Sequence, residues 1–148
     1  MKRTIIIVLG GALLIFLVVR MFFVLVGRQD DVQREFVSML NYDLSARVDS
    51  VGIFNKNAPV GFLYVVITRG TMESKEKKLA RKLKHGRDLR FLVPSDSGRY
   101  SIFSRQIHDY KIGDSLVINS SQDKFQLFRG GERINELVIS DNLSGNGD

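Results

Sequence analysis

The sequence contains no cysteine and no tryptophan, and only two of its 148 residues are proline. Without cysteine, the chain has no disulfide, no thiolate metal ligand and no cysteine nucleophile. It has only two histidines, His85 and His108, and no histidine or carboxylate spacing typical of a metal site. The glycine-rich motifs that bind nucleotide phosphates are also absent. We therefore expect neither a metal ion nor a cofactor.

The N-terminus contains one long apolar run. Residues 4–27 hold a single charged side chain, Arg20, and as a helix they would be about 36 Å long, enough to cross a hydrocarbon layer of about 30 Å. A cleaved signal peptide is the alternative, because Lys2 and Arg3 precede the run. However, the run is too long for a signal peptide, and no small-x-small cleavage site follows it. We predict a transmembrane anchor, residues 1–28, that contacts the lipid bilayer.

The orientation of this anchor is indicated by its position in the chain. Positive charges before and after the run nearly balance, and a single span close to the N-terminus usually acts as a signal anchor. We expect a single-pass membrane protein whose C-terminal part is extracytoplasmic, which means periplasmic if the chain is bacterial. Arg20 lies in the last third of the run, so its side chain can snorkel to the interface. Contact with a partner helix is the alternative.

After the anchor, the spacing of apolar residues changes from helical to alternating. Val32, Phe36 and Leu40 have helical spacing and predict a helical stalk over residues 29–44. Alternating apolar and polar residues, separated by turn-forming residues, then predict a series of short strands. The predicted strands cover residues 45–54, 62–69, 89–93, 100–107, 115–120, 124–130 and 133–139.

This arrangement predicts a mainly β fold. Short strands with regular turns are typical of a small antiparallel β-sandwich or barrel, which we place at residues 45–139. The last residues, 140–148, are polar and rich in glycine, and we predict a flexible tail there. One basic helical or loop insertion interrupts the strands.

The basic insertion is the best candidate for a binding surface. Residues 69–90 contain nine Lys and Arg against three acidic residues, while Met72, Glu76, Leu79 and Leu83 fall on one helical face. Such a segment attracts anionic lipid headgroups or an acidic protein partner; nucleic acid is not expected for an extracytoplasmic domain. The alternative is a solvated helix in which acidic side chains pair with basic neighbours. The candidate residues are Lys75, Lys77, Lys78, Arg81, Lys82, Lys84, Arg87 and Arg90.

Residues 113–116 spell GDSL, which resembles the signature of the GDSL esterases. The resemblance implies that Ser115 is a nucleophile needing a general base, and His108 is seven residues away. The family's other blocks are missing, because no histidine follows the motif and no G-x-N-D segment exists. We predict instead that Gly113 and Asp114 form a turn and that Ser115 opens a strand. A serine hydrolase remains the alternative.

A second resemblance covers a longer stretch. The pattern IGDSLVINS…FQLFRGG, residues 112–131, is similar to part of small membrane-anchored envelope proteins of Bacteroidota. The resemblance extends over residues 46–139. It implies a compact β domain held at a membrane, and it brings no catalytic residues. We therefore expect a non-catalytic interaction or accessory module of the cell envelope.

Overall fold

A computed structural model describes residues 2–54, 57–70, 76–83 and 89–145 of the chain. It contains a long N-terminal helix, a short second helix and a series of short strands joined by turns. In chain order the elements are α1 (Lys2–Met39), β1 (Asp43–Ile53), β2 (Gly61–Arg69), α2 (Glu76–Lys82), β3 (Leu89–Arg90), β4 (Val93–Pro94), β5 (Tyr100–Ser104), β6 (Ser115–Asn119), β7 (Lys124–Arg129), β8 (Glu132–Val138) and β9 (Ser144–Gly145).

Seven strands form one antiparallel sheet in the order β4-β5-β2-β1-β6-β7-β8. The remaining strands, β3 and β9, form a separate antiparallel pair. The mainly β, antiparallel fold that the sequence predicts is therefore confirmed. All seven strands belong to one hydrogen-bonded sheet, whereas the predicted sandwich would need two packed sheets.

The predicted strand at residues 89–93 is wrong as one element. It divides into β3 and β4, which belong to different sheets. Leu89, Phe91 and Leu92 are all buried, so this run lacks the alternation of a strand with one exposed face. Pro94 has no backbone N–H to donate, which suits β4 to its position at the edge of the sheet.

The N-terminal helix α1 spans the predicted anchor and most of the predicted stalk, residues 29–44, while β1 already begins at Asp43. The chain divides into two compact units, residues 1–32 and 33–148. Over the part of the chain that the structure describes, no helix meets both the length and the apolarity needed to cross a membrane. The structure thus gives no support to the predicted span at residues 4–27.

The large sheet buries one of its two faces. Alternate side chains on its central strands are at most 2% exposed, as expected for strands that line a core. Phe91 packs against Phe125 with 5.7 Å between the ring centroids, and Phe36 and Val37 near the end of α1 are fully buried. The buried residues of the central strands are Leu44, Ala46, Val48, Leu63, Val65, Leu116, Ile118, Phe125 and Leu127.

The segment predicted to be a flexible tail is ordered as far as Gly145. Residues 140–142 form a 3₁₀ turn, and Ile139 and Leu143 on either side of it are buried. Strand β9 then pairs with β3. Within the otherwise polar segment 140–145, the apolar side chain of Leu143 thus joins the core; residues 146–148 lie outside the described residues.

Gly61 occupies a position where the backbone of β1 and a neighbouring turn approach closely. A Cβ atom there would collide with the carbonyl oxygen of Gly52 and lie 2.9 Å from Cγ1 of Ile107. We expect Gly61→Ala to lower the free energy of unfolding by about 1–3 kcal/mol, the usual cost of overpacking, as measured by urea denaturation. Gly52→Ala is the control, because its Cβ would lie 3.3 Å from the movable ring of Tyr64 and at an ordinary contact distance of 3.7 Å from the backbone oxygen of Phe62. Equal losses in both variants would contradict this account.

Candidate functional site

Helix α2 has a buried side and a basic side. The buried side holds Glu76, which is 5% exposed, and the half-buried Leu79 and Leu83. Positions three, four and seven apart lie on the same side of a helix, so the exposed cations at intermediate positions share the opposite side. These cations are Lys78, Arg81 and Lys82, which we call the basic face.

We define the β unit as the described residues 33–54, 57–70 and 89–145, which contain all the strands. Glu76 fixes the orientation of α2 through hydrogen bonds to two separate parts of the β unit. The hydroxyl group of Tyr42, just before β1, donates to its Oε1 at 2.9 Å. The backbone N–H of Leu92, between β3 and β4, donates to the same oxygen at 3.1 Å. Both partners are buried, so the contact is shielded from competing water. Glu76 therefore attaches α2 to the β unit.

Burial is the main influence on the ionisation of this pair. It raises the pKa of Glu76, against the opposing effects of the Leu92 amide, the Tyr42 hydroxyl and the positive charge of Arg90. Burial also raises the pKa of Tyr42, and the proximity of the Glu76 carboxylate raises it further. The Glu76 carboxylate thus favours the neutral form of Tyr42, whereas the hydrogen bond from the Tyr42 hydroxyl favours the ionised form of Glu76.

The alternative prediction of a solvated helix whose acidic side chains pair with basic neighbours is wrong for Glu76; Glu73, its other acidic residue, lies outside the described residues. Glu76 points into the β unit and bonds Tyr42 and Leu92. The sequence carried a signal for this, because Glu76 has helical spacing to Leu79 and Leu83 and so falls on the apolar face. By contrast, its hydrogen-bond donors, Tyr42 and Leu92, are brought to α2 only by tertiary packing.

The structure describes half of the eight predicted binding residues in full. Lys78, Arg81 and Lys82 are exposed on one side of α2, and Arg90 is half-buried at the end of β3. The other four predicted positions, in side chain or entirely, lie outside the described residues: Lys77, whose backbone alone belongs to α2, and Lys75, Lys84 and Arg87. A role of all eight in binding stays a prediction.

A second buried polar contact fixes the junction between α1 and β1. The hydroxyl group of Ser120 donates to the carbonyl oxygen of Leu40 at 2.7 Å and accepts from the N–H of Tyr42 at 2.9 Å. The N–H of Ser120 in turn donates to the carbonyl oxygen of Tyr42. The junction that carries the Tyr42 hydroxyl is therefore held in place by the turn after β6. Nothing in the sequence singled out Ser120 for this role.

The GDSL turn has the predicted structure. Gly113 has a φ of 93°, a backbone conformation that favours glycine, and Ser115 is the first residue of β6. The carboxylate of Asp114 accepts the N–H of Lys111 at 2.8 Å, which closes the turn on itself. The N–H of Val48 donates to the Asp114 carbonyl oxygen and attaches the turn to β1.

Asp114 also forms a bidentate ion pair with Arg129, the last residue of β7. Nε of Arg129 donates to Oδ1 at 2.9 Å, and Nη2 donates to Oδ2 at 2.8 Å. The same guanidinium group donates to the carbonyl oxygen of Asp109. These bonds lower the pKa of the Asp114 carboxyl group, with the Arg129 side chain as the main cause. Asp114 is 3% exposed, and both of its carboxylate oxygens accept hydrogen bonds that hold the turn and the ion pair together.

Ser115 has no catalytic partner among the described residues. Its side chain is exposed and receives no hydrogen bond there, while His108 is exposed on the 3₁₀ turn Ile107–Asp109. A serine nucleophile needs a base within hydrogen-bond reach.

The described ranges also contain no cluster of three or more His, Cys, Asp or Glu able to hold a metal ion.

A polar groove of about 460 Å³ lies between the end of β5 and strand β8. Its lining includes Glu136, whose carboxylate accepts Lys124 Nζ at 2.6 Å and Gln126 Nε2 at 2.9 Å. The bond to Lys124 is the main reason that the pKa of Glu136 lies below its ordinary value. A general base works best with a pKa near the operating pH, so this carboxylate is poorly suited to proton transfer.

Comparison with known proteins adds no assignment, since no family model, no curated protein and no solved structure matches the chain. The similarity of residues 112–131 to membrane-anchored envelope proteins therefore stays a prediction.

The Asp114–Arg129 pair predicts a specific pH dependence of stability. Because the pKa of Asp114 is lowered in the folded state, its contribution is complete above the unfolded pKa of about 3.9 and is lost as the pH falls through the folded value. We expect Asp114→Asn to destabilise the fold by about 1–3 kcal/mol at neutral pH and to remove this part of the acid dependence, as measured by urea denaturation from pH 2 to pH 7, a range of about five units around that pKa. Asp96→Asn, at an exposed site, is the control; a matching loss there would refute the prediction.

Proposed function

We propose that this chain is a membrane-anchored, non-catalytic binding module of the cell envelope, and that the basic face of α2 binds anionic lipid headgroups. The observation that carries the proposal is the orientation of α2. Because Glu76 and Leu79 point into the β unit, Lys78, Arg81 and Lys82 point into solvent. Glu76, the acidic residue within α2, is withdrawn from their side of the helix.

The membrane anchor is supported by the apolar run at residues 4–27. Within it, the large apolar side chains of residues 13–19 and 21–24 are 46–70% exposed. An apolar surface of this extent is unfavourable in water, and a hydrocarbon layer would bury it. We propose that the β unit lies on the extracytoplasmic side of this anchor.

Anionic headgroups suit the basic face better than a shaped ligand would. Three cations on a convex helix form no pocket, and each attracts a negatively charged membrane surface by about 1 kcal/mol. A chain that is already tethered to a bilayer also meets headgroups at a high effective concentration, so weak individual contacts suffice. An acidic protein partner is the competing occupant, and the experiment below distinguishes the two.

Reversal of the basic face tests the proposal. Residues 30–148, which include the second compact unit, are mixed with vesicles of phosphatidylcholine alone or with added phosphatidylglycerol. We expect salt-sensitive sedimentation only with the anionic vesicles. Changing the three residues of the basic face to Glu should weaken it by about 3 kcal/mol, which is more than a hundredfold.

The matched control reverses three other exposed cations, at Arg47, Arg105 and Lys111, whose side chains make no hydrogen bond or ion pair within the described ranges. Both variants then have the same net charge. An equal loss of binding in the control, or none in the basic-face variant, would overturn the proposal. Binding to soluble polyglutamate but not to anionic vesicles would favour the acidic protein partner instead.

The topology of the anchor can be tested with single cysteines, because the chain has none of its own. Gln122 is exposed in the β unit, and we expect Gln122→Cys to react with an impermeant thiol reagent in intact cells. Lys2→Cys, on the other side of the apolar run, should react only after lysis. The reverse pattern would place the β unit in the cytoplasm, and extraction of the protein by carbonate would refute the anchor.

A further inference from the structure

The contact between α2 and the β unit has a carboxyl group at its centre. Glu76 is 5% exposed, and its neighbours Tyr42, Phe91 and Leu92 are 3%, 0% and 1% exposed. A carboxylate that moves from water into such surroundings is destabilised relative to the neutral acid. The protonation state of Glu76 must therefore affect the free energy with which α2 docks.

The hydrogen bonds of Glu76 are compatible with the neutral acid. The Tyr42 hydroxyl and the Leu92 N–H both donate to Oε1, at 2.9 Å and 3.1 Å. A proton on Oε2 would leave both of these bonds intact, although the backbone N–H of Phe91 also favours the ionised form of this carboxyl group. The neutral acid keeps both contacts and avoids the cost of a buried charge, so it is the form that docks best.

Among the described residues, three charged or titratable groups act on this contact from the surrounding elements. They are the phenol of Tyr42 before β1, the phenol of Tyr100 on β5 and the guanidinium group of Arg90 on β3. Arg90 favours the ionised carboxylate, but burial has the larger effect and raises the pKa of Glu76. Tyr42 stays neutral in the relevant pH range because burial raises its pKa as well.

We propose that Glu76 is a proton-controlled latch, whose neutral form holds α2 against the β unit and whose ionisation releases the helix. In the released segment Glu76 would have the pKa of an exposed glutamate, about 4.3. Docking is therefore strongest below that pH and weakens as the pH rises to the higher pKa of the docked state. Across this window the equilibrium constant for release rises about tenfold per pH unit.

This latch would regulate the binding surface proposed above, and that consequence rests on the proposed function. When α2 is docked, the basic face is an ordered surface backed by the β unit. When it is released, Leu79 and Leu83 also become free to enter a lipid interface. The latch itself concerns only the attachment of α2, so it can be tested without any lipid ligand.

Amide hydrogen exchange of the full chain in uncharged detergent micelles is the direct test. The reporter is the N–H of Leu83, which donates to the carbonyl oxygen of Leu79 at 3.1 Å. The reference is Glu76→Gln, which keeps an oxygen acceptor and cannot ionise. We expect the protection of the wild type, relative to this variant at the same pH, to fall about tenfold per pH unit above pH ~4.3 and then to level off.

Two further measurements make the result decisive. The amide of the fully buried Val65 on β2 should show equal protection in both proteins, since only α2 is released. Glu76→Ala should lower the protection of Leu83 at every pH. The proposal is overturned if wild type and Glu76→Gln share one pH dependence, if Val65 changes in parallel with Leu83, or if Glu76→Ala leaves Leu83 protected. None of these results depends on lipid binding, so the latch and the proposed function can fail separately.

Discussion

The need to cover one apolar face of the seven-stranded sheet determines how the rest of the β unit is arranged. Each large side chain on that face stabilises the fold by about 1.5–3 kcal/mol only if it is removed from water. The buried cover comes from segments far apart in the chain: the end of α1 around Phe36, the residues Phe91 and Leu92, and the segment Ile139–Leu143. Completing the core therefore orders both ends of the unit, including the segment whose composition predicted a tail.

A buried polar contact then connects this cover to the surface. Leu92 belongs to the core, and its backbone N–H needs an acceptor once it is buried. Glu76 supplies that acceptor and also receives the Tyr42 hydroxyl. The helix that carries Glu76 is thereby held with its cations outward. One contact thus satisfies a core amide, orients the basic face and makes the attachment sensitive to the proton concentration.

The sequence predicted the parts of the fold in which one face is buried and the other exposed. Strands β6 and β7 begin at Ser115 and Lys124, as predicted, because a one-sided sheet imposes an alternation that the sequence must display. Where adjacent residues are both buried, as at Phe91 and Leu92, the alternation is lost, and the prediction merged two strands into one. The partners of Glu76 and Asp114 depend on which strands and turns meet in space, and no local pattern contains that information.

The GDSL segment shows how strand register gives a short motif its meaning. Ser115 pairs with Phe128 across β6 and β7. Asp114 directly precedes Ser115 and Arg129 directly follows Phe128, so these two residues meet at the open end of the β6–β7 hairpin. Gly113 supplies the turn, Asp114 accepts the bidentate guanidinium group, and the Arg of the LFRGG stretch completes the pair. The two halves of the pattern in residues 112–131 therefore form one structural unit. A residue pair that holds a hairpin explains both halves without chemistry at Ser115, which the register leaves on the exposed face.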